Sequence, residues 1–185
     1  MREFVFRMRG GLWTLLFVVI LFMLEPVSLG RVTLCLVLVT SGQVWRCWAA
    51  GYIGLYRGEN VKARRLAAHG PYALMRNPLY FGNYVIGLGW SVLAGIRGVI
   101  IFTACFIVLY VLVIIPHEEE FLLSKFGAEY EDYCRRVKRF WPVSLRREDL
   151  RGKFDPEIVK KSEIHTIIST VIGTIIILGI SLCYT

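Results

Sequence analysis

The chain has 185 residues, of which 56% are apolar, 14% aromatic and 19% charged, with a formal net charge of +8. Soluble domains carry about 45–50% apolar and about 25% charged residues, so this balance excludes an ordinary soluble domain, and it excludes disorder as well. The 17 glycines and 6 prolines follow no period, which excludes a collagen-like chain and leaves a small, single-domain integral membrane protein.

A bilayer core of about 30 Å takes about 20 helical residues at about 1.5 Å each. The reading is all-α and polytopic, with about five transmembrane helices expected over 11–29, 32–55, 79–96, 98–116 and 164–184. Glu25-Pro26 interrupts the first, and Arg46 sits late in the second, where it reads as a helix-end arginine whose head snorkels to the interface. Ser28-Leu29-Gly30-Arg31 joins the first pair tightly and Gly95-Ile96-Arg97-Gly98 the next, so both pairs read as helical hairpins. The chain divides into a first hairpin (1–56), a core with the second hairpin (57–142), a cytosolic linker (143–163) and a terminal helix (164–185). Arg2, Arg7 and Arg9 before an apolar run look like a secretory signal, but Val27-Ser28-Leu29-Gly30 is no small-x-small cleavage site. An uncleaved first helix is expected.

Charge sets the direction of threading. Eleven of the 22 basic residues and eleven of the 14 acids fall within 118–163, a polar and nearly neutral stretch. The excess lies earlier, at Arg2, Arg7, Arg9, Arg57, Lys62, Arg64, Arg65 and Arg76. A pI of 9.4 is what a polytopic protein with basic cytosolic loops produces, and no nucleic-acid partner is expected. With the N-terminus cytosolic, the basic 57–76 loop and the 117–163 segment lie inside, and the two outer turns keep only Arg31 and Arg97.

In that topology two polar clusters emerge together at the cytosolic face, because a short hairpin joins the spans that carry them. One is His69-Gly70-Pro71-Tyr72 with Arg76-Asn77-Pro78-Leu79-Tyr80, and the other is His117-Glu118-Glu119-Glu120. Asn77-Pro78 is a helix start: Asn accepts from an orphan backbone N–H as N-cap, and Pro at the first helical position needs no donor. Gly70-Pro71 is a turn. Read without a site, these residues end a loop and begin a helix, with Tyr72 and Tyr80 as interfacial aromatics. Three carboxylates directly after an apolar run are costlier, since each must be solvated or paired, and one or two of them turn toward the neighbouring span. His117 and Glu120 stand at i,i+3, but His69 and His165 add no ligand spacing, and the five cysteines contain no CxxC pair. Neither a metal site nor a disulfide framework is expected.

Beyond this, one helix ends at Gly127 and another is expected over 128–140, with Phe126, Tyr130, Tyr133, Val137 and Phe140 on one face and Arg135, Arg136, Lys138 and Arg139 around the rest. Trp141-Pro142 stops it. Such a cytosolic amphipathic helix suits anionic headgroups of membrane lipids, a lid over the polar pocket, or both.

These residues resemble the integral-membrane methyltransferases typified by isoprenylcysteine carboxyl methyltransferase. The family joins an Arg-His-Pro-x-Tyr motif, a spacer, a small residue, a longer stretch and a Glu-Glu pair. Here Arg76-Asn77-Pro78-Leu79-Tyr80 is followed by eight residues, Gly89, 28 residues and Glu118-Glu119. Phe126-Gly127-Ala128-Glu129-Tyr130 with Tyr133 matches the family's carboxy-terminal pattern, so the resemblance covers about 66–142. Asn77 replaces the family's His, as in the Asn-Pro-Met-Tyr of phospholipid N-methyltransferases. Ile114 stands where eukaryotic members place an arginine associated with the prenylcysteine carboxylate.

The resemblance implies S-adenosylmethionine at the cytosolic face, contacted by residues around His69, Tyr72, Asn77, Pro78, Leu79, Tyr80 and Glu118, with Arg76 and Glu119 in catalysis. Glu118 suits the donor ammonium, tyrosine faces suit its sulfonium, and Arg76 or a helix-start N–H suits its carboxylate. For an amine acceptor, Glu119 or His69 would be the base. The implied acceptor is lipidic or a small hydrophobic molecule, most like the isoprenylcysteine carboxylate. The alternatives are phospholipid N-methylation, an NADPH-dependent sterol-type reduction, and a non-catalytic membrane scaffold.

Overall fold

A computed structural model describes residues 9–53, 66–140 and 152–183. The amino-terminal Arg2 and Arg7, the basic residues Arg57, Lys62, Arg64 and Arg65, and Trp141-Pro142 lie outside the described residues. The described chain is helical, with no strand among the described residues: α1 (Arg9–Leu21), α2 (Leu29–Ile53), the single turn α3 (Pro71–Leu74), α4 (Pro78–Val92), α5 (Gly95–Phe126), α6 (Ala128–Arg136) and α7 (Pro156–Cys183).

Direction alternates through the bundle. At one end Trp45 of α2 donates to the Pro78 carbonyl and the Asp155 N–H donates to Gly51, so α2 finishes where α4 and α7 begin. At the opposite end the Glu25 N–H donates to the Leu93 carbonyl, beside the turn that starts α5. Three helices are long and apolar enough to cross a membrane: α2 (25 residues), α5 (32 residues) and α7 (28 residues). Helices α1 and α4 pack among them but are shorter, at 13 and 15 residues.

The boundaries shift from the sequence reading for identifiable reasons. The first helix stops at Leu21, and residues 22–28 form an open connection instead of a tight turn at 28–31, because Pro26 cannot continue a helix and Glu25 turns out to pair with Arg31 at 3.0 Å. The turn between α4 and α5 falls at Leu93-Ala94, earlier than Gly95–Gly98. Gly95 has φ +66°, and a Cβ there would overlap the Glu25 carboxylate. Helix α7 starts at Pro156, ahead of 164, because the Asp155 carboxylate accepts the N–H groups of Glu157 (3.0 Å) and Ile158 (3.4 Å) as an N-cap. Helix α6 ends at Arg136, short of Phe140, and Val137 is extended so that Lys138 can accept from the Arg76 N–H at 2.9 Å.

Helix α5 does not stop at Pro116. Proline has no N–H for the carbonyl four residues back, and its ring crowds that carbonyl. The turns before it, Ile107–Ile114, are wound as π-helix, with the Ile115 N–H donating to Tyr110, five residues back. This wider winding makes room for the ring and lets the helix continue. At about 1.5 Å per residue its α-helical turns alone extend about 36 Å, beyond a bilayer core of about 30 Å. The overhang carries Glu118 and Glu119.

Helices α2 and α4 pack backbone to backbone. A Cβ on Gly42 would lie 2.9 Å from both the Gly82 carbonyl oxygen and the Ile86 nitrogen, and one on Gly89 would lie 3.0 Å from the Cys35 oxygen. Around this contact Cys35, Val39, Ile86, Trp90, Leu93, Phe102, Phe106, Tyr110, Ile114 and Ile177 close the core with Leu16 and Ile20 of α1. Ile100, Val108 and Leu112 on α5 and Ile168, Val171 and Ile175 on α7 face outward, an apolar perimeter that suits lipid. Gly42→Val should force the two helices apart and cost about 1–3 kcal/mol, whereas Gly179→Val, with open space around it, should be close to neutral; thermal denaturation in detergent compares them.

Candidate functional site

Residues distant in sequence meet where α3, the start of α4, the carboxylate end of α5 and the segment around α6 come together. Gly70 (φ +62°) turns the chain into α3, and Pro71, Tyr72 and Ala73 are buried there. The Tyr133 hydroxyl of α6 donates to the Tyr72 carbonyl at 2.8 Å, which locks α6 over this turn. Tyr130, Tyr133 and Val137 form a second small core with Leu66, Ala68, Leu122, Phe126 and Cys134. Tyr72 is therefore buried, not an interfacial aromatic.

Asn77 occupies the N-cap position of α4 and Pro78 the first turn, as the sequence indicates, but the Asn77 side chain makes no cap bond. Its amide Nδ2 donates across to Glu119 Oε1 at 3.3 Å. The same carboxylate forms an ion pair with Arg76 Nη2 at 3.3 Å and accepts from Arg139 Nη2 at 2.6 Å, with Arg139 Nε at 3.1–3.2 Å from both oxygens. The start of α4 and the overhang of α5 thus meet on one carboxylate. Glu119 and Arg76 are 14% and 16% exposed, against 39% for Arg139, so the inner pair is largely removed from water and the outer arginine covers it.

The electrostatics follow from this layering. The hydrogen bond to Glu119 holds Arg139 charged above the ordinary arginine range, against a smaller desolvation effect. Burial is the main reason that Tyr130 and Tyr133 ionise well above the usual tyrosine range, with the Glu119 charge adding to the shift of both. Arg76 Nε is buried with no acceptor among the described residues, in a site where its Nη2 is already committed. Such a donor is costly to leave unmet.

The remaining expected residues spread around this centre. Tyr80 is half-buried, its ring tilted against Tyr110 at 5.6 Å, at the end of an aromatic column that continues through the stacked Phe106 (4.6 Å) to Phe102 (6.0 Å). Glu118 is half-buried one residue before Glu119, and the Pro78 and Leu79 carbonyls accept from Trp45 (3.0 Å) and Arg46 (3.5 Å). His69 is exposed, at the edge of the site beside Gly152 and Tyr52, and its backbone carbonyl accepts from the Tyr72 N–H.

Two features escape the sequence reading. Arg139 was legible only as one of several cations on an amphipathic helix, and it leaves that helix to reach Glu119. Arg46 does not snorkel: its side chain is 4% exposed, and its Nε and Nη2 grip both oxygens of Glu163, 0% exposed, at 3.0–3.2 Å. Asn83 accepts from its Nη1. An arginine late in one apolar segment and a glutamate just before another hint at pairing. Nothing in the linear order says that they meet.

With the geometry in place, the sequence profile of the phospholipid methyltransferase family matches residues 28–129, from α2 into the start of α6. The chain belongs to the phospholipid methyltransferase family. This family member is 33% identical over 159 residues to the nickel-cobalt-cadmium resistance protein NccN of Alcaligenes xylosoxydans xylosoxydans, covering 80% of this chain and 71% of that one. It is 32% identical over 160 residues (78% and 69%) to the cobalt-zinc-cadmium resistance protein CzcN of Cupriavidus metallidurans. It is also 33% identical over 117 residues (62% and 56%) to a probable protein-S-isoprenylcysteine O-methyltransferase of Oryza sativa subsp. indica. No solved structure matches. Arg76, Asn77 and Glu119 fall inside the matched segment, whereas Arg139 and Glu163 lie beyond it.

Glu119→Gln keeps the shape but removes the charge that two arginines share. It should cost about 2 kcal/mol and free 137–140 to early proteolysis, checked by thermal denaturation and limited digestion. The tyrosines give a pH signature. Their folded values lie above the unfolded value of about 10, so their contribution is complete below about pH 10 and is lost as pH rises through the folded values. As pH is raised above about 10, amide exchange should show α6 loosening before the rest of the bundle; Tyr133→Phe should blunt that dependence while costing about 1 kcal/mol at neutral pH.

Proposed function

We propose that this membrane protein transfers a methyl group from S-adenosylmethionine to a lipidic or small hydrophobic acceptor that reaches the site from the bilayer, with the site facing the cytosol. The observation that carries the reading is the convergence on Glu119: two chain segments 42 positions apart, Asn77 and Glu119, sit at 3.3 Å and leave a buried guanidinium donor, Arg76 Nε, in need of an acceptor.

The side chains present suit the donor's three charged groups. Arg76 Nε–H matches its carboxylate, Glu118 its ammonium, and the half-buried Tyr80 face its sulfonium. The bound donor supplies a methyl on positively charged sulfur: the acceptor's lone pair forms the new bond to carbon, and the carbon–sulfur pair leaves on sulfur as a neutral thioether. In such an in-line displacement the protein's work is chiefly alignment and exclusion of water. Arg139 and the small core around Tyr130 and Tyr133 provide the cover.

The occupied state of Glu119 favours one class of acceptor. Both its oxygens already accept from arginines, so to act as a base it would first have to release Arg139. His69, exposed at the edge, is the other base available for an amine. An acceptor that arrives as an anion, such as a carboxylate or thiolate, needs no base at all. This supports an activity closest to isoprenylcysteine carboxyl O-methylation over phospholipid N-methylation. The names of NccN and CzcN state metal resistance and give no substrate.

Incubating membranes that contain the protein with methyl-labelled S-adenosylmethionine should place label in a lipid-extractable product. In titrations of purified protein, Glu118→Gln should weaken donor binding about tenfold, the loss of one charge-assisted bond. Absence of both label and donor binding would overturn the reading, and binding of NADPH in their place would favour a reductase.

A further inference from the structure

The buried pair in the bundle has no part in the chemistry described so far, yet it is built into the first turn of α4. Arg46 of α2 and Glu163 of α7 are 4% and 0% exposed, and both carboxylate oxygens are used. A guanidinium is planar, so fixing Nε and Nη2 on Glu163 also fixes where Nη1 points. It points into α4, at the Asn83 amide oxygen and the Leu79 carbonyl. The neighbouring Trp45 takes the Pro78 carbonyl at 3.0 Å. Gly82 lies beneath the Arg46 stem, where a Cβ would overlap it.

We infer that Glu163 and Arg46 are positioning residues: α7 orients the Arg46 guanidinium, which holds the first turn of α4 and so sets Asn77 against Glu119 and Tyr80 against Tyr110. Leu79 is two residues from Asn77, whose amide meets Glu119 at 3.3 Å, so a rotation of that turn moves the donor side of the site directly. The terminal helix lies outside the family-matched segment, and this gives it a role in the site without touching a ligand. The bundle has other ties to α7, including Trp90 to Thr174 at 3.0 Å and the buried Ile177, so the pair is not needed merely to keep α7 attached.

The consequence for donor binding rests on the methyl-donor reading above; the consequence for α4 does not. Replacing both charges together, Arg46→Met with Glu163→Leu, avoids stranding one of them, and such swaps are often neutral for stability. In the full-length protein in detergent, the melting midpoint should stay close to wild type. Amide exchange over 76–83 should rise about tenfold while 29–40 is unchanged, and the dissociation constant for S-adenosylmethionine should rise about tenfold. Glu163→Gln, which keeps the shape, should show the same pattern at about threefold and serves if the double variant does not fold. Unchanged exchange over 76–83 would overturn the inference. Faster exchange with unaltered donor affinity would overturn it too, leaving the pair as a fastener of the bundle. If wild type binds no donor, the methyl-donor reading fails by itself, and exchange alone still decides whether the pair holds α4.

Discussion

A charge carried into an apolar bundle must meet its counter-charge before the helices can close, and this structure satisfies that constraint twice. Arg46 and Glu163 meet inside the bundle, while Glu119 takes Arg76 and Arg139 at its rim. Pairing of this kind rarely adds much net stability, because desolvation offsets most of the attraction. What it enforces is arrangement. Asn77 and Arg76 reach Glu119, and Arg46 reaches Asn83 and the Leu79 carbonyl, only when α4 begins at the right height beside α2 and α5.

Geometry makes the arrangement possible. Glycines at the α2–α4 contact let two backbones touch, and Gly82 admits the stem of Arg46 between them. On the other side of α4, the π-wound segment carries α5 past Pro116 without a break, so the carboxylates ride on the same rigid element as the aromatic column of Phe102, Phe106 and Tyr110. A broken helix at Pro116 would have left Glu119 on a loop, and a site on a loop is held less accurately than one on a helix.

The family-matched segment and the parts outside it divide the labour. Residues 28–129 contain the start of α4, the overhang of α5 and the glycine contact. The outer parts supply closure: Arg139 covers Glu119 from beyond α6, and Glu163 reaches Arg46 from α7. Relatives can therefore share the central segment while differing in what surrounds it.

Composition and apolar run length by themselves determined an all-helical membrane protein, because a bilayer accepts few other solutions for a chain with this hydropathy. The hairpin between the third and fourth apolar runs was enough to place Asn77 near Glu119, since a short turn leaves two antiparallel helix ends no choice but to be neighbours. Tertiary structure alone decided the rest. Arg46 with Glu163 and Arg139 with Glu119 are contacts across 117 and 20 positions, set by how helices rotate about their axes and where α6 ends, and no local pattern encodes either. The same holds for the cap at Asn77, whose side chain leaves its own helix because a carboxylate on another one offers a charged acceptor.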